Sequence, residues 1–385
     1  MTDIKMRKIL TLIATLPAIA YLYLNYNQST HKESESTPII PQTSFTLEDY
    51  YTNNPFLHAK VDSIMQSIDS AALSAQVIVT VGGDSGYPAA QIEDMVKEGH
   101  VGGVLLLSGE KTQLTNLSKK YDSLSLQNGH LPLIYSADAE PSLVNKKIKG
   151  LPKFPNTNTL KTEEQTVATA EAISKELKSM GITHNFAPIC DFSINRSIIG
   201  NRSFGSDPDT VAKYARIFSE ATQGMQVAAT AKHFPGHGTV KGDTHKEVVY
   251  IDGEMQELPA FQELINSGVL SVMVGHIAVK NNPEFSTYGT PASCSRRIVY
   301  DLLTMRMGFQ GIIVTDAMNM GAVKNLPNAS MKALEAGCHM ILMPANEKQL
   351  HKKILERMQK DEKFKKHIWR SAYKIIRLKV CLGLL

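Results

Sequence analysis

The sequence predicts an α/β protein built as a single (β/α)8 TIM barrel. Three observations carry this. Eight short apolar runs of strand length recur along the chain, amphipathic segments of helical period separate them, and ionisable residues collect just past the ends of several runs. The alternation implies parallel βα units. A doubly wound sheet alternates in the same way, but the count of eight and the lack of a Gly-rich phosphate fingerprint after the first run favour the closed barrel.

The chain opens with Lys5, Arg7 and Lys8 ahead of an apolar run from Ile9 to Leu24. A basic stretch followed by an apolar one reads as an export signal. Ala18-Ile19-Ala20 offers a small-residue cleavage site. The run continues past it, so an uncleaved membrane anchor fits as well, although at roughly 16 residues it is slightly short for a bilayer span. Residues 1–24 are therefore expected to be a signal peptide or membrane tether, and the protein to be exported, periplasmic or extracellular. Residues 25–50 are polar and hold Ser, Thr, Glu and Pro, which predicts a flexible linker. Residues 51–385 are assigned to one barrel domain.

Within that domain the strand candidates are Gln76–Val81, Val101–Leu107, Leu131–Ala137, His184–Ile189, Ala228–Phe234, Ser271–Val279, Gly311–Thr315 and His339–Met343. Helical patterns between them include Gln91–Glu98, Glu163–Met180, Asp209–Met225, Ser295–Met307 and Asn328–Ala336. A last helix places Ile368, Ala372, Ile375 and Ile376 on one face.

Composition excludes several function classes. A 43% hydrophobic, 20% charged chain is ordinary globular protein. A net charge of +4 with no basic stripe interleaved with aromatics gives no case for nucleic acid. The four cysteines are scattered and form no CxxC, so they read as small buried hydrophobes rather than zinc ligands or a redox pair.

In a barrel enzyme the chemistry lies at the C-terminal ends of the strands. Here strand three ends in Asp138 and Glu140, strand four in Asp191, strand five runs into Lys232 and His233, strand six contains His276, and strand seven ends at Asp316. An Asp after a strand is often only a helix cap. For Asp191 capping and catalysis weigh evenly, and for Asp316 catalysis weighs more. The densest segment, residues 231–250, holds His233, His237, Asp243 and His245 among glycines. Its three glycines, Gly236, Gly238 and Gly242, make a permissive backbone, and a mobile loop closing over a ligand is expected. A His beside an Asp serves general acid/base chemistry. His and Asp clusters also bind divalent metal, and a polar surface loop has the same composition.

The motifs add to this. KHFPGHG (232–238) followed by DTH (243–245), GNRSFGSDP (200–208), VTDAMNMGA (314–322) and LPLIYSADAE (131–140) run in order along the chain. Together they resemble glycoside hydrolase family 3, and within it the β-N-acetylhexosaminidase branch. The resemblance implies a retaining exo-glycosidase acting on peptidoglycan or chitin-type oligosaccharides. It assigns Asp316 as nucleophile and His245 as acid/base with Asp243 as partner. It also assigns Asp138, Arg202, Lys232 and His233 to the sugar's hydroxyls and acetamido group, and His276 is taken as a further substrate-binding residue. The implied partner is an oligosaccharide or glycoconjugate, and no metal or cofactor is expected.

Two departures stand out. Pro141-Ser142 and then Leu143 replace the family's glycines, and a downstream sugar-binding Arg has no match, with only Lys146 or Lys147 nearby. The competing readings are a β-glycosidase of another sugar such as glucose, phosphorolysis in place of hydrolysis, and a non-catalytic tethered sugar-binding protein.

Overall fold

Aliphatic and β-branched runs become strands because their side chains pack on both faces of a buried parallel sheet. The computed structural model describes residues 44–194, 198–240 and 242–385. Its eight principal strands are β1 (Ile78–Gly83), β2 (Gly103–Glu110), β3 (Ile134–Ala137), β4 (His184–Asn185), β5 (Ala228–Phe234), β6 (Ser271–Val274), β7 (Ile312–Thr315) and β8 (Ile341–Leu342). Each pairs in parallel with the next in sequence from β1 to β7, and β8 pairs with β1. The cylinder closes between β7 and β8 through a bridge at Val314 and Met340, where the Thr315 amide donates to the Met340 carbonyl at 3.0 Å. Two side chains strengthen this seam. Leu342 N donates to Thr315 Oγ1 at 3.0 Å, and Ile313 N to His339 Nδ1 at 3.0 Å. The expected (β/α)8 barrel is the observed fold.

The amphipathic segments form an outer layer of helices over this sheet. Asp207 caps the helix Pro208–Gly224 through Thr210 N, and Thr162 caps Glu163–Ser179 through Gln165 N. The last helix, Glu362–Cys381, runs across the floor of the barrel. Along it, His367 bonds the carbonyl of Cys338 and Lys374 that of Gly311. Lys379, fully buried, donates to Gly102 O, Pro132 O and Gln76 Oε1. Gly102, Pro132, Gly311 and Cys338 all lie just before strands, at their N-terminal ends.

Several boundaries differ from expectation. The linker was expected to reach residue 50, but Leu47–Tyr51 is a 3-10 turn with Leu47 and Tyr50 buried. Arg377 ties it down, donating to the carbonyls of Tyr50 (2.7 Å), Thr52 (2.7 Å) and Asp49 (3.2 Å). The signal or anchor at residues 1–24, and the linker up to residue 43, lie outside the described residues. The sixth strand stops at Val274. Ile277–Lys280 instead pairs with Val249–Asp252 in a separate two-stranded sheet. The helix expected over 295–307 is a π-helix, Arg297–Arg306. Among the described residues no helix is long and apolar enough to cross a membrane.

Candidate active site

The strands carry their last residues to one rim, where a cavity of about 470 Å³ opens. Asp138 follows β3, Lys232 and His233 belong to the end of β5, and Asp316 follows β7. All four line the cavity with Arg202 and His245.

On the β3–β5 side the charges form a chain of ion pairs. Lys232 Nζ lies 2.7 Å from Asp138 Oδ1 and 2.6 Å from Glu140 Oε1. Glu140 in turn takes a bidentate pair from Arg202 at 2.7 and 2.8 Å. Lys147 Nζ meets the other Asp138 oxygen at 2.6 Å. Lys232 and Glu140 are each only 1% exposed. Burial alone would raise both carboxyls, but the cations around them more than offset it. Glu140 is held down at about 2, under Arg202 and then Lys232, and Asp138 is held well below the usual carboxylate range by Lys232 and Lys147. Burial works against the Lys232 ammonium, and Asp138 and Glu140 outweigh it and raise its pKa. The result is a rigid set of donors and acceptors suited to a ligand dense in hydroxyls.

Asp191 is the anchor of His233 rather than a helix cap. Its carboxylate takes the His233 ring nitrogen Nδ1 at 2.7 Å, and it also accepts the amides of His233 and His237. It is fully buried.

His245 and Asp243 form a compact pair. Asp243 Oδ1 accepts from His245 Nδ1 at 2.7 Å and from its amide at 2.9 Å. Burial raises the Asp243 carboxyl, and these two bonds more than offset the rise and lower it. With Nδ1 occupied, Nε2 is the nitrogen left to exchange a proton. The His245 side chain is 67% exposed. The loop behind it is docked: Gly321 N donates to His245 O at 3.0 Å, and Ala322 N to Thr244 O at 3.2 Å. The loop that carries His245 therefore rests on the segment that follows Asp316.

Two of the three glycines in the loop Gly236–Lys246, which was expected to be mobile, have a packing role as well. Gly236 and Gly238 are packed so tightly that a Cβ would fall 2.2 Å from Glu257 Oε2 and 2.0 Å from Phe192 O. Glu257 is buried beneath them and accepts the Gly238 amide at 2.8 Å. Only a residue without a Cβ fits at these two positions.

Asp316 accepts the Ala317 amide at 2.8 Å. Burial raises its carboxyl, but His233 first, His276 second and this amide outweigh it, leaving the group below its ordinary value and ionised near neutrality. His276 itself is not where the sequence reading put it. It is fully buried and does not line the cavity. Nδ1 pairs with Ser293 Oγ at 2.8 Å, and Nε2 with the Ala317 carbonyl at 3.0 Å. Both nitrogens are spent on protein, so it positions the turn after Asp316 rather than binding substrate. Lys147 takes a place at the cavity that sequence reasoning left open between two lysines, and Glu140 and Asp191 emerge as the groups that hold Arg202, Lys232 and His233. Among the described residues no group of three or more His, Cys, Asp or Glu is arranged to hold a metal ion.

Barrel and rim together define the class: a (β/α)8 protein whose candidate site residues stand on strand ends and one docked loop. The profile of the Glycosyl hydrolase family 3 N terminal domain matches residues 71–378, and the chain belongs to that family. It is accordingly a glycoside hydrolase, as the motifs implied. A β-hexosaminidase from Vibrio cholerae is 31% identical over 288 residues, covering 71% of this chain and 84% of its own. The glycoside hydrolase family 3 β-N-acetylglucosaminidase of Paenibacillus sp. superposes with a TM-score of 0.75 at 26% identity, over 82% of this chain. The chain spans 63% of that enzyme's length. The β-glucoside phosphorylase BglX superposes with a TM-score of 0.78 at 21% identity, covering 87% of this chain and 62% of its own, a likeness of fold alone.

Proposed function

We propose that the chain is an exported, retaining exo-β-N-acetylglucosaminidase acting on peptidoglycan or chitin-type oligosaccharides. The carrying observation is Asp316, half-buried in the cavity wall, with the Asp243–His245 pair docked on the segment beside it. Asp316 attacks the anomeric carbon. The glycosidic C–O bond breaks as the Asp316–carbon bond forms, and His245 Nε2 gives its proton to the leaving oxygen. Water then attacks the covalent intermediate, His245 takes that water's proton, and Asp316 leaves. Asp243 keeps the proton on Nδ1 throughout, so the imidazolium gives its Nε2 proton in the first step and the neutral ring takes one back at Nε2 in the second. Asp138, Lys232, Lys147, Arg202 and His233 hold the sugar. The name of the Vibrio relative supports a hexosamine and that of the Paenibacillus relative its N-acetylated form, and the basic and apolar N-terminal run supports export.

Asp316→Asn is expected to lose at least about 10³-fold in kcat with the fold intact, because an amide is a far weaker nucleophile. A 5-fluoro N-acetylglucosaminide should label Asp316 covalently. Labelling of another carboxylate would overturn the mechanism. Faster turnover of aryl β-glucosides than of aryl β-N-acetylglucosaminides would overturn the sugar.

A further inference from the structure

Charge is distributed unevenly along this chain. From Glu347 to the end there are twelve Lys and Arg against four Asp and Glu, a surplus of eight, in a chain whose whole surplus is four. That segment folds into two consecutive helices, Glu347–Lys360 and Glu362–Cys381. The second crosses the barrel floor, at the end opposite the cavity, so its free face looks away from the site.

That face corrects the sequence reading, which found no basic stripe interleaved with aromatics: only the fold sets these residues on one exposed side. Lys365, Lys366, Trp369, Arg370 and Tyr373 follow one another at helical spacing along it. Trp369 is the only tryptophan of the chain and is 42% exposed. It stacks on Tyr373 with ring centroids 5.3 Å apart. Among the described residues Lys360, Lys363, Lys366 and Arg370 have no ion-pair partner, although other lysines of these helices, such as Lys348 with Glu98, do. A cationic stripe, unpaired at Lys366 and Arg370, around an amphipathic aromatic pair is the composition that suits a lipid headgroup layer. The cations meet anionic headgroups and the indole sits at the interface. The Leu47–Tyr51 turn also lies against this helix, fastened by Arg377. The apolar run Ile9–Leu24 lies upstream of that point.

We propose that this basic face of the barrel floor docks on an anionic phospholipid surface, leaving the catalytic mouth turned towards the solvent. The proposal is independent of the sugar the site takes.

Residues 44–385 form one unit with its own core and permit a test free of the N-terminal run. The domain is sedimented with phosphatidylglycerol-containing vesicles and with pure phosphatidylcholine vesicles, while Trp369 fluorescence is recorded. The expected result is co-sedimentation with the anionic vesicles alone, a blue shift of the emission, and release at high salt. Lys365→Glu/Lys366→Glu/Arg370→Glu is expected to weaken the partition by about tenfold or more while turnover of a soluble aryl glycoside is unchanged. No sedimentation, equal sedimentation with both vesicles, or an unshifted Trp369 emission would overturn the proposal. So would capture by soluble dextran sulfate without capture by vesicles, which would make the partner a polyanion. The salt and fluorescence readouts need no variant, so a misfolded triple mutant does not protect the idea.

Discussion

At the scale of single residues, Glu257 shows how the site is held from below. Burial, with Asp191 nearby, pushes its carboxyl from 4.5 up to about 7, although the Gly238 and Phe192 amides oppose the rise. Its folded value is raised, so below pH 4.5 the carboxyl is protonated in both states and its full stabilisation is present. As pH climbs towards 7 the unfolded chain ionises first, and that stabilisation is lost. The loss amounts to up to about 3 kcal/mol. Glu257→Gln keeps the shape and an accepting oxygen but cannot ionise. Melting temperatures measured from pH 4.5 to 8 should therefore fall more steeply with pH for the wild type than for the variant. Parallel curves would show that Glu257 does not titrate in this range.

At the scale of elements, the loop that bears His245 and the segment after Asp316 act as one clasp. A Cβ on Gly321 would lie 2.4 Å from the Lys246 carbonyl and 2.5 Å from that of His245, both backbone atoms that cannot swing aside. Gly321→Ala should push the loop off and break the bond from Gly321 N to His245 O. Because displacement of a catalytic group by an ångström costs of order 10²-fold, kcat should drop on that scale for unactivated glycosides. Thermal stability should change little. An unchanged kcat would mean the loop does not need this dock. The same elements show what was legible beforehand. β5 could be read end to end because AATAKHF is bounded on both sides and carries its polar pair at its end. β4 and β8 are two residues each, too short for any period to mark, and only their flanking apolar residues gave them away. Strand six was overextended because the apolar run continues past Gly275 into a second sheet, and that misplaced His276. Its partners, Ser293 and Ala317, are 17 and 41 residues away, a pairing no local pattern displays. Lys147 was undecided for the same reason: two adjacent lysines on one short helix differ only in which way each points.

For the molecule as a whole, the floor is held by long-range polar ties. Lys379 gathers two carbonyls and an amide oxygen from three places in sequence, at 2.6 to 3.2 Å. Burial lowers its pKa to about 7, yet three acceptors around one amine suit the ammonium, which has three hydrogens to give. Lys379→Met fills the space and strands those acceptors, at about 2–4 kcal/mol. Urea unfolding midpoints should fall accordingly, with KM and kcat below the transition unaltered, since the cavity lies at the other end of the barrel. An unmoved midpoint would show that water reaches these carbonyls.

The seam between β7 and β8 has a consequence for which sequences this fold tolerates. Thr315 ends the run IIVT, immediately before Asp316, and its hydroxyl accepts the Leu342 amide where the ladder of backbone bonds is thinnest. It does not line the cavity. A mutational library selected only for turnover would nevertheless retain a hydroxyl at this position, and a reader of that library would score Thr315 as a ligand contact. Its role is architectural: the residue that completes the cylinder is covalently next to Asp316, the proposed nucleophile, so drift at one is constrained by the other.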